Sequence, residues 1–132
     1  MNITKVKDLM TKDLITISGD KSVIYASELM IEKNIGSLLV YEDSEVIGII
    51  TERDIVKKII TDCKDLCEVM AIEIATKDLI TIAPKDTIEH ALITMYRKNI
   101  KRIPVKDPIS HELVGIITTH DIIAAFNTLE LT

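Results

Sequence analysis

The sequence predicts an α/β (α+β) fold of two tandem β-α-β-β-α units, and two observations lead to this prediction. First, the segment Thr11–Ile17 recurs unchanged as Thr76–Ile82, so the chain contains a duplication with an offset of 65 residues, from position 11 to position 76. Second, both copies close on the pattern Gly-Ile-Ile-Thr-x-x-Asp, at residues 48–54 and 115–121. The duplication covers nearly the whole chain.

The first repeat (1–64) and the second repeat (65–132) show the same order of elements. Each opens on a short β-branched strand, followed by a turn and an amphipathic helix, which Thr87 is expected to cap in the second repeat. Two middle strands and a closing helix complete each repeat. The predicted strands and closing helix are Ile15–Ile17, Ser37–Tyr41, Val46–Ile50 and about Glu52–Ile60 in the first repeat, and Ile80–Ile82, Arg102–Lys106, Leu113–Ile117 and about Thr119–Phe126 in the second.

A short helix is also predicted to lead into each repeat, at Val6–Met10 and at Leu66–Met70. If Leu66–Met70 corresponds to Val6–Met10, the second repeat contains an insertion, Ala71–Ala75, before its Thr-Lys-Asp-Leu segment. The path of the chain near the strand Ile80–Ile82 is therefore expected to differ from the path in the first repeat.

The closing motifs predict helix starts and, with the same geometry, a ligand site. Thr51 and Thr118 each follow a predicted buried strand, and Asp54 and Asp121 stand three residues later, which is the spacing of a capping box. A helix N-terminus with a hydroxyl also suits a phosphate, and a carboxylate accepts two hydrogen bonds from a vicinal diol such as a ribose. The residues leave both interpretations open, and the recurrence of the motif in two repeats favours a ligand site.

The composition argues against several classes of protein. Hydrophobic residues make up 47% of the chain but aromatic residues only 3%, so the core is predicted to be aliphatic. The formal net charge of −5 argues against general nucleic-acid binding, which requires a basic surface. No apolar run approaches the ~20 residues that span a bilayer, and the N-terminal residues lack the apolar core of a signal peptide, so we expect a cytoplasmic protein without membrane association.

The sequence predicts neither a metal site nor catalytic residues. His90, His111 and His120 are scattered without metal-ligand spacing, and Cys63 and Cys67 are expected to be ordinary reduced cysteines, with a redox or metal role as the less favoured alternative. No Ser or Cys has a recognisable neighbouring His motif, and the four glycines form no Gly-rich phosphate loop. We therefore expect that the chain is not an enzyme.

Two β-α-β-β-α repeats that open on a Leu-Ile-Thr-Ile strand and close on Gly-Ile-Ile-Thr-x-x-Asp resemble a tandem pair of CBS domains, known as a Bateman module, in a stand-alone two-repeat protein. The resemblance covers about residues 5–127. It implies that the repeats pack sheet to sheet with pseudo-twofold symmetry, and that the clefts between them bind an adenosine derivative such as AMP, ADP, ATP or S-adenosylmethionine. It also implies self-association through helices, and it implies no required cofactor.

The resemblance assigns roles to residues of the two motifs. Asp54 and Asp121 would hold the ribose hydroxyls, with Thr51 and Thr118 on the phosphate side. The remaining assigned residues are Ile15, Ile17, Ile80 and Ile82, whose backbone groups would meet the base, and Lys101, Arg102, Arg53 and His120, which would supply positive charge to a phosphate.

The two repeats differ in this positive charge. The second repeat has Lys101 and Arg102 at the start of a middle strand, whereas the first repeat has Gly36 and Ser37 there. Because burying a phosphate without a cation is costly, we expect the second motif to anchor the tighter site for a phosphorylated ligand.

The predicted function is that of a regulatory module that senses an adenosine derivative and passes the state of its site to an unidentified protein partner. The alternative is a structural or interaction dimer with vestigial nucleotide clefts. Apolar residues, among them Ile60 and Phe126, cover more of the closing helices than one sheet can bury. This surplus predicts a homodimer with twofold symmetry.

Overall fold

The computed structural model describes the backbone of residues 4–131 and the side chains of residues 4–126. Within these residues, helices and small sheets combine in a mixed fold, which confirms the predicted α+β class. In chain order the helices are α1 (Val6–Leu9), α2 (Val23–Lys33), α3 (Glu52–Asp54) with a π-helical continuation (Ile55–Ile60), α4 (Ala71–Ile74), α5 (Ile88–Lys98) and α6 (Thr119–Leu131), and the strands are β1 (Thr16–Ser18), β2 (Ser37–Glu42), β3 (Glu45–Thr51), β4 (Arg102–Lys106) and β5 (Leu113–Thr118).

The chain forms two compact units. The contiguous unit is Ile15–Leu79, and the discontinuous unit joins the N-terminal segment, as far as Leu14, to the chain from Ile80 onward. The repeat bounds 1–64 and 65–132 stay a prediction about the duplication of the sequence, but the compact units divide at other positions. Each unit therefore contains residues from both repeats.

The contiguous unit is built on a sheet with the strand order β1-β2-β3, in which β1 is parallel and β3 antiparallel to β2. Helix α2 starts after Ser22, whose hydroxyl accepts a first-turn N–H at 3.1 Å, and ends at Asn34, whose φ of 55° is typical of a helix C-terminus. The buried side chains of this aliphatic core are Ile17, Val23, Ala26, Met30, Leu38, Val40, Ile50, Ile59, Val69, Ala71, Ile74 and Ala75.

The discontinuous unit is built on the antiparallel pair β4-β5. The predicted cap of α5 is confirmed, because the hydroxyl of Thr87 accepts the N–H of His90 at 3.0 Å. This helix ends at Asn99, which has the same left-handed backbone (φ 54°) as its counterpart after α2. The buried side chains of this core are Val6, Ile82, Ile88, Ala91, Met95, Ile103, Val105, Ile117 and Ile122.

The predicted strand Ile80–Ile82 is reduced to a single bridge, although its sequence is identical to that around β1. Only Ile82 pairs, in parallel with Val105. In the contiguous unit, the N–H of Leu39 donates to the carbonyl of Ile15 at 3.1 Å. Pro104 occupies the position of Leu39 in the second repeat, and proline has no N–H to donate. The ladder is therefore one hydrogen bond shorter.

The predicted helix at Leu66–Met70 is wrong, and so is the predicted insertion. The helix that leads into the second repeat is α4 (Ala71–Ile74), which lies within the predicted insertion Ala71–Ala75. In α4 the carboxylate of Glu73 accepts the backbone N–H before the helix at 2.6 Å, and Asp8 does the same in α1 at 2.9 Å. The two helices are thus counterparts at the same 65-residue offset, since in each an acidic third residue accepts the backbone N–H of the residue before the helix.

Helices α1 and α4 each lead into one repeat but pack in the unit that contains most of the other. Val6 of α1 is fully buried in the core of the discontinuous unit, and Thr11 pairs with Ile116 of β5 through two backbone hydrogen bonds of 2.9 Å. Thr76 pairs with Ile49 of β3 in the same way, at 2.8 and 2.9 Å. These bridges cover the second edge of β3 and of β5, and they explain why the units do not follow the repeats.

Candidate functional site

The first closing motif forms a hydrogen-bonded helix start at the end of β3. Thr51 Oγ1 accepts the N–H of Asp54 at 3.1 Å and Asp54 Oδ2 accepts the N–H of Thr51 at 3.0 Å, so the predicted capping box is confirmed. The Thr51 hydroxyl also donates to Asp54 Oδ2 at 3.0 Å. Among the described residues, no protein donor bonds to Asp54 Oδ1, and this oxygen keeps its acceptor capacity.

The second closing motif has the same core geometry at the end of β5. Thr118 Oγ1 accepts the N–H of Asp121 at 3.0 Å, and Asp121 Oδ2 accepts the N–H of Thr118 at 3.0 Å. Here the other carboxylate oxygen is also engaged, because Asp121 Oδ1 accepts a hydrogen bond of 3.1 Å from the hydroxyl of Thr11. Both carboxylates are half-buried, so ligand groups can reach them.

The predicted basic pair lies beside the second motif. Arg102 is opposite Thr118 in the register of β4 and β5. The carbonyl of Lys101 accepts the N–H of Thr119, the first residue of α6, at 2.9 Å. Arg102 is half-buried and Lys101 is exposed. The strand register therefore brings both basic residues to the start of the helix that carries Asp121.

The contiguous unit has the same backbone arrangement without these cations. Ser37 is opposite Thr51 in the register of β2 and β3, and the carbonyl of Gly36 accepts the N–H of Glu52 at 3.1 Å. Neither Gly36 nor Ser37 carries a charge. The difference predicted from the sequence thus corresponds to a difference in side chains at equivalent positions of the two units.

Arg53 and His120 occupy equivalent positions in the first turn of α3 and α6, and both side chains are exposed. They lie between the threonine and the aspartate of their motifs in sequence. Their side chains remain accessible, and their predicted contact with a phosphate stays a prediction.

The four isoleucines assigned to the base lie near the cores of their units. Ile17 and Ile82 are buried, whereas Ile15 and Ile80 are half-buried and pack against the two cores. The carbonyl of Ile15 already accepts a ladder hydrogen bond, and the N–H and carbonyl of Ile82 are bonded to β4 at 3.1 and 2.8 Å. The backbone contacts predicted for these residues would use the acceptor capacity that remains on carbonyl oxygens.

The glycines of the closing motifs leave room for a neighbouring backbone. A Cβ atom on Gly48 would lie 2.7 Å from the carbonyl oxygen of Thr76, and one on Gly115 would lie 3.0 Å from that of Thr11 and 2.6 Å from the sulfur of Met10. The segments after α1 and α4 therefore pass directly over the two strands. Thr11 and Thr76 were not among the predicted residues, although the unchanged repeat that contains them was the available signal.

Asp107 lies outside the motifs, in the turn that joins β4 and β5. The backbone N–H groups of Ile109 and Ser110 bond to its carboxylate, at 2.8 and 3.2 Å, and hold the pKa of Asp107 below its ordinary value. This network orders the turn that contains Pro108, and it gives no indication of ligand binding.

Three further findings concern the described part of the chain. It contains no group of three or more His, Cys, Asp or Glu side chains that could hold a metal ion. Cys63 and Cys67 are exposed free thiols. None of the described helices has the length and apolar character that crossing a membrane requires.

Two matches to a family model identify the class of protein. The CBS domain model matches residues 6–61 and again residues 71–128. The chain therefore belongs to the CBS domain family and carries two copies of the domain. This finding confirms the resemblance inferred from the repeated strand and the closing motif.

Two curated relatives match nearly the whole of this chain, but the matched region is only part of each relative's own length. An uncharacterised protein of Methanopyrus kandleri is 36% identical over 124 residues, which are 93% of this chain and 63% of that protein. L-aspartate semialdehyde sulfurtransferase of Methanocaldococcus jannaschii is 35% identical over 125 residues, which are 94% of this chain but 23% of the enzyme. The similarity to the enzyme is thus confined to less than a quarter of its length.

A solved structure in the family contains adenosine compounds. The CBS domain pair of protein MJ0100, in complex with 5′-methylthioadenosine and S-adenosyl-L-methionine, is 34% identical to this chain with a TM-score of 0.83. The match covers 96% of this chain and 98% of that domain pair. The CBS-pair fold of this chain is therefore confirmed, and a related pair binds adenosine-containing small molecules.

Proposed function

We propose that this chain is a non-catalytic regulatory module that binds an adenosine derivative through its two Thr-x-x-Asp motifs. The observation that carries the proposal is the shared geometry of the motifs, in which a half-buried carboxylate at a helix start keeps acceptor positions for a ligand. The complex of MJ0100 with two adenosine compounds supports the choice of ligand class.

Each motif offers the groups that a nucleoside needs. Asp54 and Asp121 use one oxygen for the backbone of the helix start, and their remaining lone pairs would accept the two hydroxyls of a ribose. Thr51 and Thr118 stand at helix N-termini, where N–H groups and the helix dipole favour a phosphate or another anionic group. The half-buried Ile15 and Ile80 would contribute an aliphatic surface to the base, whose edge meets backbone groups near Ile17 and Ile82.

Charge would set the preference of the two motifs. The second motif contains His120 and has Lys101 and Arg102 beside it, so we expect it to bind AMP, ADP or ATP more tightly than the first motif does. The first motif has the uncharged Gly36 and Ser37 at the strand start in place of the basic pair, although Arg53 matches His120. Because it lacks this pair, it would prefer an uncharged or cationic compound such as S-adenosylmethionine, or stay empty.

The response to ligand would be passed on by protein contacts. Several helix residues expose large apolar side chains, among them Ile31 (80% exposed), Ile60 (65%) and Ile123 (64%). We propose that such surfaces form a homodimer and that the module acts on a protein partner in the cytoplasm. The same surfaces favour the second candidate function, a structural dimer that binds no nucleotide.

A thermal-shift screen distinguishes the two candidate functions. The probes are AMP, ATP, S-adenosylmethionine and 5′-methylthioadenosine. A ligand present at about 100 times its Kd should raise the unfolding free energy by about 2.7 kcal/mol, because it binds only the folded state. A rise with at least one probe is the expected result, and the absence of a rise with all of them would favour the structural dimer.

A further inference from the structure

We propose that Thr11 positions the carboxylate of Asp121 for a ribose and thereby makes the two Thr-x-x-Asp motifs unequal. This inference rests on the proposed function, since it concerns how the same carboxylate meets its ligand. Its starting point is the 3.1 Å hydrogen bond from the Thr11 hydroxyl to Asp121 Oδ1, which joins residues 110 positions apart.

The fold holds Thr11 in place for this bond. The N–H and the carbonyl of Thr11 both pair with Ile116 of β5 at 2.9 Å, and the preceding helix is anchored by the fully buried Val6. Gly115 has no side chain where a Cβ atom would come within 3.0 Å of the Thr11 carbonyl oxygen. The position of the Thr11 hydroxyl is therefore set by backbone pairing and packing.

With Thr11 in place, both oxygens of Asp121 are held before a ligand arrives. Oδ2 accepts the N–H of Thr118, and Oδ1 accepts the Thr11 hydroxyl. Each oxygen has two acceptor positions, so one on each oxygen remains for a vicinal diol. A carboxylate whose rotation is already restricted loses less freedom on binding, so Thr11 is expected to strengthen the recognition of a ribose.

The contiguous unit provides an internal comparison. Thr76 is the counterpart of Thr11 and pairs with Ile49 in the same way. The described hydrogen bonds to the Asp54 carboxylate nevertheless all come from Thr51, and they all reach Oδ2. Thr11 thus holds the Asp121 carboxylate, whereas its counterpart Thr76 makes no described hydrogen bond to the Asp54 carboxylate.

The test compares Thr11→Val, Thr11→Ser and Thr76→Val in the full chain. Valine keeps the β-branched shape but lacks the hydroxyl, serine keeps the hydroxyl, and Thr76→Val is the matched control. Each variant is titrated by calorimetry with AMP and with 5′-methylthioadenosine, beside the 2′-deoxy analogue of each. Thr11→Val should weaken AMP, the ligand expected at the second motif, about three- to tenfold and 2′-deoxy-AMP less, while Thr11→Ser and Thr76→Val bind AMP like wild type. The uncharged 5′-methylthioadenosine, which is expected at the first motif, should be affected little.

The 2′-deoxy analogues separate positioning from a purely structural effect. If Thr11→Val weakens AMP and 2′-deoxy-AMP equally, or binds AMP as tightly as wild type or tighter, the role of Thr11 is refuted and the proposed function stands. If wild type binds none of AMP, ATP, S-adenosylmethionine and 5′-methylthioadenosine, the proposed function fails and the role of Thr11 fails with it. Circular dichroism checks folding, and Thr11→Ala replaces a valine variant that does not fold, with the same expected pattern.

Discussion

Asp54 and Asp121 each have a hydrogen-bonding role in the fold that is compatible with their proposed role in binding. The sequence left a helix cap and a ligand site as alternatives, but the described hydrogen bonds make them compatible. The cap uses one oxygen of each carboxylate, and an ionised carboxylate has about four acceptor positions in all. The capping interaction therefore leaves capacity for a diol, and it also holds the side chain at the start of the helix.

Arg102 provides the residue-scale prediction on charge. Because Arg102 lies opposite Thr118, Arg102→Ala should weaken the binding of AMP more than that of adenosine, and the loss should be larger at low salt. Parallel calorimetric titrations at two ionic strengths measure this difference. Ser37→Ala, at the equivalent position of the contiguous unit, is the matched control. Equal losses for AMP and adenosine would show that Arg102 is not a phosphate ligand.

The motif glycines allow a prediction about packing. Gly48→Ala would bring its Cβ to 2.7 Å from a backbone oxygen, whereas Gly115→Ala would mainly meet the flexible end of Met10 at 2.6 Å. Backbone yields less easily than a methionine side chain, so Gly48→Ala should cost about 1–3 kcal/mol of unfolding free energy and Gly115→Ala should cost less. Urea denaturation measures both, and the reverse order would contradict the geometry.

At the scale of elements, the segments around α1 and α4 determine how the duplicated sequence is divided into units. Each helix supplies core residues to the unit built from most of the other repeat, and the threonine that follows it covers the second edge of a strand. A short helix has little stability by itself, so its place is set by the core that it completes.

Val6→Ala tests this arrangement. Val6 is fully buried, and the change removes apolar contacts and leaves a cavity in the core of the discontinuous unit. We expect a loss of about 2 kcal/mol of unfolding free energy, measured by urea denaturation. The control is Lys7→Ala, because Lys7 is an exposed residue of the same helix. Equal stability of the two variants would contradict the burial of α1.

The sequence predicted most elements because their signals are local. The middle strands, the cap at Thr87 and both capping boxes follow from residues close together in the chain. Two features were not predicted, because they depend on distant pairing. Pro104 shortens the ladder of a segment more than 20 residues away, and the bond from Thr11 to Asp121 joins the two ends of the described chain. The prediction of a helix at Leu66–Met70 also missed Glu73, the acid at the start of α4, although its signal is local.

At the scale of the whole molecule, membership of the CBS family and the fold are established, while the cytoplasmic location and the homodimer stay predictions. The homodimer follows from the apolar side chains exposed on several helices. Sedimentation equilibrium at micromolar concentration should give twice the chain mass of 14.8 kDa. A monomer mass would refute this prediction.

Two substitutions locate the contact surface. Ile31→Glu and Ile123→Glu place a charge on exposed helix positions, so either change should shift the mass toward the monomer if its helix lies in the contact. Ile109→Glu is the matched control, because Ile109 is 90% exposed but lies in the turn between β4 and β5. Dissociation caused only by Ile109→Glu would place the contact at this turn.

The most direct test of the central claim is a calorimetric titration of wild type, Asp54→Ala, Asp121→Ala and the double variant with AMP, ATP, S-adenosylmethionine and 5′-methylthioadenosine. We predict that wild type binds at least one of them, and that losing the carboxylate at an occupied motif costs about 1.5–3 kcal/mol of binding free energy. Each single variant should lose only about 1 kcal/mol of unfolding free energy, which is the usual contribution of one helix cap. Binding by the double variant with wild-type affinity, or no binding by wild type, would contradict the account.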